Sequence, residues 1–485
     1  MAQPVTEITP KEQRPRVSES SLVADRRRFS RRLGAITLKL PLLKTALERM
    51  PARRRPALYF ESLYNIGNGA FICLFLLSTV VLETILNGTK EHLTMFAAMF
   101  GGSSLLSPLV SYAGRRIPMK ALILIPNLLV AALLVVTALP VGGATFFALV
   151  VGLAFVVRVF PRVAEMNMFR VLYPPTHRGA AVGWVKAVAA ISALGVTVLG
   201  YWWFSFLPGY YWLLYWLVAV LVVGSTFSYW RIPVSRHNIF GRDDQKSPHH
   251  AFRDGLRVFL ADRRFVLYQV GFSLAGFANH MAMIFVAKVL HENVLGSRPL
   301  VEILPSPLMS LVRTWSLDHQ TVEIMIVGFV FALLPTFVMM TSAPFWGRFL
   351  DKINPMIARS IFNLFQTVAY ALHAYGGLTL QLWPMVLGAT LHAIGNGGGT
   401  INWLTGSLYF ARNEQISLYN AIHVGLTGLR GLIAPICGLY LMSSTGFDLG
   451  AGIFWVASAL SFLGVVVMLL QGLTDPGPRE ELIAT

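Results

Sequence analysis

The chain has 485 residues, of which 55% are hydrophobic and only 13% charged, with a mean hydropathy of +0.60. An average soluble domain carries roughly a quarter charged residues. These figures exclude a disordered chain, a collagen-like chain and an ordinary water-soluble enzyme. The net charge of +17 falls mostly between apolar runs. There it reads as positive-inside topology and attraction to anionic lipid headgroups. No groove-reading motif accompanies the basic runs, so nucleic acid is not an expected partner.

Residues 1–56 form a basic tail, with Arg26, Arg27, Arg28, Arg31 and Arg32, then Arg53, Arg54 and Arg55. No apolar stretch follows the first charges, so no cleavable signal peptide is expected. The stretch from Leu33 to Met50 suits a solvated topogenic tail or a short amphipathic helix on the headgroups, with Pro41 interrupting the latter. Twelve apolar runs then follow, near 57–86, 92–113, 118–139, 143–172, 179–206, 209–231, 264–290, 322–348, 355–376, 382–410, 415–441 and 447–471. Each is long enough to span about 30 Å of hydrocarbon as a helix. The reading is an all-α polytopic membrane protein.

The tail, the Arg115-Arg116…Lys120 loop, the His177-Arg178 loop, the 232–263 linker and the Arg348…Arg359 loop fall on one side of a twelve-span chain. The positive-inside rule makes that side cytoplasmic, with both termini there, the last being a tail at 472–485. Tyr201-Trp202-Trp203 and Tyr210-Tyr211-Trp212 mark the opposite interface. The polar linker divides the chain into six spans plus six. Pro118 and Pro355 stand at the same separation as Tyr173 and Phe410, which points to internal duplication. Cys73 and Cys437 lie in apolar runs and offer no disulfide framework or metal spacing. The spans hold no paired carboxylates or nucleophile with its base, so no catalytic residue, metal or cofactor is expected. Gly395-Asn396-Gly397-Gly398-Gly399 lacks the Lys-Ser/Thr of a phosphate loop and begins mid-helix. It reads as a place of tight packing or local unwinding.

At Gly347-Arg348-Phe349-Leu350-Asp351-Lys352-Ile353-Asn354-Pro355 the sequence resembles the G-x-x-x-D-[RK]-x-[GN] signature of the major facilitator superfamily. The N-terminal copy departs from it: Gly114 stands where the Asp belongs, followed by Arg115-Arg116. The resemblance implies twelve transmembrane helices in two pseudo-symmetric six-helix bundles, here 57–231 and 264–471. It implies a secondary active transporter, not an enzyme, that moves a small solute by alternating access across a bacterial-type plasma membrane. Gly347, Asp351 and Lys352 would form its cytoplasmic latch.

The resemblance also implies that the first, fourth, seventh and tenth helices line a central cavity. Polar residues stripe those spans at helical spacing. Glu61, Asn65 and Asn68 share a face of the first, and Arg158, Arg162 and Glu165 one of the fourth. Gln269, Ser273, Gly276 and His280 share a face of the seventh, and His392, Asn396, Gly399 and Trp403 one of the tenth. His423, Thr427 and Arg430 add a stripe in the eleventh. Arg158, near mid-span, is the first transport candidate, because an Arg at that depth is costly. Asn65 and Asn68 either face the cavity or bond between helices. Arg162 and Glu165 either line it or form an i,i+3 ion pair. His280 and His392 are either carriers of a coupling proton or neutral structural groups. Arg430 is either a substrate clamp or a partner of Glu165 or of a lipid phosphate. Cations outnumber carboxylates, which favours an anionic or zwitterionic solute with a proton as coupling ion. Export of hydrophobic or cationic drugs is the alternative, and a transporter-like receptor or assembly protein a further one.

Overall fold

The computed structural model describes residues 55–107, 109–110, 117–139, 142–173, 175–232, 257, 259–350, 352–411, 416–475 and 477. The basic tail up to Arg54, most of the linker, Gly114, Arg115, Arg116, Asp351 and the C-terminal tail beyond Gly477 lie outside the described residues.

A backbone in hydrocarbon must satisfy its own N–H and C=O groups, which leaves helices as the solution for an apolar run. Among the described residues twelve main helices follow. They are α1 (Arg55–Ile85), α2 (Lys90–Gly102), α3 (Met119–Val136), α4 (Gly143–Leu172), α5 (Pro175–Phe206), α6 (Trp212–Trp230), α7 (Arg263–Leu295), α8 (His319–Gly328, continuing to Leu350), α9 (Pro355–Thr379), α10 (Leu382–Thr405), α11 (Ile416–Met442) and α12 (Ile453–Thr474). Two short helices, Leu300–Ile303 and Ser306–Thr314, lie between α7 and α8. No strand occurs among the described residues. Eight of the twelve (α1, α4, α5, α6, α7, α8, α11 and α12) are long and apolar enough to cross a membrane by length and composition. Helix α3 is apolar but shorter. Helices α9 and α10 carry Arg359, Asn363, Gln366 and His373, and His392, Asn396 and Asn402, which lower their hydropathy.

Local chemistry fixes several starts. Asp262 accepts from the backbone N–H of Phe265 (3.3 Å) at α7, and Asp318 from that of Thr321 (2.7 Å) at α8. Asn354 accepts from Met356 (2.8 Å), with Pro355 at the first turn of α9, where its missing N–H is harmless.

The packing repeats between α1–α6 and α7–α12. Helix α3 packs against α4 and α6, and α9 against α10 and α12; α2 meets α4 as α8 meets α10. Between the halves, α2 packs on α11 and α5 on α8. The two backbones of α2 and α11 nearly touch: a Cβ on Gly101 would stand 2.6 Å from the carbonyl oxygen of Gly431, and one on Gly428 2.4 Å from the backbone nitrogen of Leu105. Large apolar side chains such as Ile125, Val220, Phe227, Leu470 and Leu473 point outward, as lipid-facing residues do.

The last turns of α1 (Val81–Ile85) and α7 (Val289–Leu295) widen into π-helix at equivalent places in the two halves. Such turns re-aim side chains and recur at functional sites.

Candidate solute path between the helices

In the N-terminal half, Arg158 of α4 is the centre of a buried network. Its Nη1 donates to Oη of Tyr64 (3.1 Å) and Oδ1 of Asn127 (2.9 Å). Its Nη2 donates to Oδ1 of Asn68 (2.8 Å) and Oε1 of Glu165 (3.1 Å). Tyr64 also donates to Glu165, and Asn68 donates to Asn65 (3.0 Å). The network joins α1, α3 and α4. One turn away, Glu61 accepts from Tyr173 through Oε2, while its buried Oε1 has no partner.

Two neighbouring cations are left over. Arg162 of α4 and Lys186 of α5 are exposed. Among the described residues neither makes a hydrogen bond or an ion pair. Arg162 reaches the other half, its guanidinium 4.9 Å from the centre of the Trp403 ring of α10. The charges of Glu165 and Glu61 act on Lys186.

The C-terminal half holds an aromatic wall. The His423 ring lies 5.9 Å from Trp403 and 4.6 Å from Phe272. Over Phe272 lie two guanidiniums, those of Arg359 at 4.2 Å and Arg430 at 4.5 Å. Further along α7 and α10, His392 meets Asn279 (2.8 Å), Asn396 (3.2 Å) and Tyr370 (3.4 Å), and Gln366 donates to Asn396 (2.9 Å).

At the end of the molecule away from Arg55 and Thr474, charges tie α1, α7 and α8 together. Glu83, only 2% exposed, lies 3.6 Å from Nζ of Lys288 and 3.2 Å from His291. His291 also approaches Glu323 (3.8 Å), and Lys288 pairs with Glu292 at 2.5 Å. Lys90 of α2 adds a bond to the carbonyl of Met442 of α11 (3.1 Å). These contacts join α1 to α7 and α8, and α2 to α11, at that end.

The structure gathers Asn65, Asn68, Arg158 and Glu165 into one cluster, with Arg162 beside it. Glu165 pairs with Arg158, seven residues away, and not with Arg162 or Arg430. Arg430 instead donates to the carbonyl of Phe272 (2.9 Å). His392 and Asn396 belong to the C-terminal network, and His280 is half-buried on α7. Gly347 lies inside α8, where a Cβ on it would meet open space, and Lys352 just after α8 is exposed; Asp351 lies outside the described residues. The sequence reading did not single out Tyr64, Asn127, Phe272, Glu83, Lys288 or His291. Arg359, read there as a loop charge, stands one turn inside α9.

No protein-family model matches the sequence, and no curated protein matches it. Solved structures do match. A mutant of the nucleoside transporter NupG covers 85% of this chain and 98% of its own at 13% identity, with a TM-score of 0.61. A bacterial homologue of the human drug peptide transporters PepT1 and PepT2 covers 86% and 98% at 10% identity, with a TM-score of 0.62. A POT family transporter in complex with a thioalcohol-conjugated peptide covers 85% and 95% at 12% identity, with a TM-score of 0.59. The chain has the major facilitator fold.

Proposed function

We propose that the chain is a secondary active transporter of a small anionic or zwitterionic solute, coupled to an ion, with the proton as first candidate. The observation that carries the reading is the pair Arg162 and Lys186: exposed side chains with no hydrogen bond or ion pair among the described residues, Arg162 reaching across to Trp403 of the other half. A charge without a partner at that depth is costly unless water or a ligand attends it. Three transporters of nucleosides or peptides with the same fold support the class of function. In this reading residues 57–231 and 264–471 are the moving bodies, joined by 232–263. Both termini are cytoplasmic and the membrane is the plasma membrane, so the end sealed by Glu83, Lys288 and His291 faces outward and the conformation is closed to the exterior.

Substrate shifts the population between states only through contacts it makes in one and not the other. Arg162 is placed for this, because it spans from α4 to Trp403 of α10. Glu61 is the candidate for the coupling proton, since one carboxyl oxygen is engaged by Tyr173 and the other is free.

The test is flux in proteoliposomes against a panel of organic anions, zwitterions and cationic drugs, with and without a pH gradient. Accumulation of an anion or zwitterion is the expected result. Movement of cationic drugs alone, abolished by Glu61→Gln, would replace this reading with drug export. No flux of any compound by folded protein would favour a receptor or assembly role.

A further inference from the structure

Arg359 and Arg430 are 5% and 8% exposed. Each guanidinium has five N–H donors. Here each makes one hydrogen bond, Arg359 to the carbonyl of Gly399 (3.2 Å) and Arg430 to that of Phe272 (2.9 Å). The Nε of both is buried and without a partner. No carboxylate forms an ion pair with either among the described residues, and the two positive charges repel each other. The Phe272 face attracts each cation through its ring quadrupole but neutralises neither charge. Removing an ion from water costs several kcal/mol even after relaxation. The ring and two carbonyls therefore do not balance two buried guanidiniums.

The space around them is built. A Cβ on Gly276 would lie 2.3 Å from Cζ of Arg430, and one on Gly399 3.1 Å from Nη1 of Arg359. Glycine at these two positions is what admits the guanidiniums. A third donor adjoins them. Nδ1 of His423 lies 3.0 Å from the Gln269 amide nitrogen and 3.2 Å from its oxygen; in the tautomer in which Nδ1 accepts, the ring proton sits on Nε2, which is buried and unpartnered.

We infer that Arg359 and Arg430, with Nε2 of His423 beside them, form an oxyanion-binding subsite on the C-terminal half that takes a carboxylate or phosphate group. The guanidinium fork matches the paired oxygens of such groups, and two forks together favour a dianion. The inference rests on the transport reading, in which the rest of the solute extends past Trp403 toward Arg162.

The purified full-length chain in phospholipid-free detergent tests it, with inorganic phosphate, succinate and chloride as probes at matched ionic strength. Phenylglyoxal modification, followed by peptide mass, reads Arg359 and Arg430 directly in the unaltered protein. Protection of both by phosphate or succinate, and not by chloride, is expected. Binding of the same probe should weaken at least about 10-fold in Arg359→Gln and Arg430→Gln and recover partly in Arg430→Lys. Equal protection by chloride, or none by any probe, would overturn the inference. So would unchanged binding in both Gln variants. Protection of both arginines without flux of any solute sinks the transport reading alone. Anion flux that survives both Gln variants sinks the subsite alone.

Discussion

The two halves of the bundle treat buried charge in opposite ways. In α1–α6, Arg158 is saturated: four acceptors from three helices surround it, and Glu165 neutralises it. In α7–α12, Arg359 and Arg430 hold one backbone carbonyl each and no counter-charge among the described residues. A saturated cation is a structural tie, while an unsaturated one is a demand for a ligand. The two halves pack alike, while their buried cations are held differently.

The largest effect should come from cutting the fastening. Arg158→Ala leaves Glu165 buried without its cation, which costs about 3–5 kcal/mol. A sharply lowered melting temperature of the purified protein is expected. A variant that melts like the parent and loses only flux would place Arg158 in the path instead. Arg162→Ala is the counterpart. It removes no hydrogen bond or ion pair, only the contact with the Trp403 ring, so melting should fall far less than in Arg158→Ala, while the loss of about 1.5–3 kcal/mol of solute binding raises KM about 10- to 100-fold. An unchanged KM would take Arg162 out of the path.

Glu61→Gln keeps the shape of the site and the bond from Tyr173 but removes the titrating group. Exchange of solute across the membrane should persist while accumulation driven by a pH gradient disappears; accumulation that persists would move coupling elsewhere. The smallest effect belongs to the sealed end. Glu83→Gln removes the pairs with Lys288 and His291, but Lys288 keeps Glu292 at 2.5 Å and His291 keeps Glu323 at 3.8 Å, so closure should weaken by about 1 kcal/mol. A cysteine introduced by Leu86→Cys should react modestly faster with a water-soluble thiol reagent. An unchanged rate would show that the charges do not hold this end shut.

Much of the fold was legible because lipid imposes a strong rule: apolar runs become helices, and their number and spacing survive in the sequence. The loop before Pro355 and the doubled landmarks added the pairing of halves. The stripe argument located Asn65, Asn68, Arg158 and Glu165 on shared faces, and these four do meet. It missed Tyr64 and Asn127, because a tyrosine and an asparagine carry no charge to flag them and α3 otherwise reads as a lipid-facing helix. Arg359 was hidden by its position. Four residues past Pro355 it looks like loop charge, yet Pro355 begins the helix and so carries Arg359 one turn inward. The partners of Glu83 were beyond sequence reasoning, since His291 lies 208 residues away and only the closed bundle brings them together.

The bare contact of Gly101 with Gly431 bears on motion. Interlocked side chains would have to disengage before α2 and α11 turned against each other, whereas two smooth backbones slide like the faces of a plain bearing. A single methyl on either glycine would act as a shim, prising the seam apart and jamming whichever posture needs the helices closest.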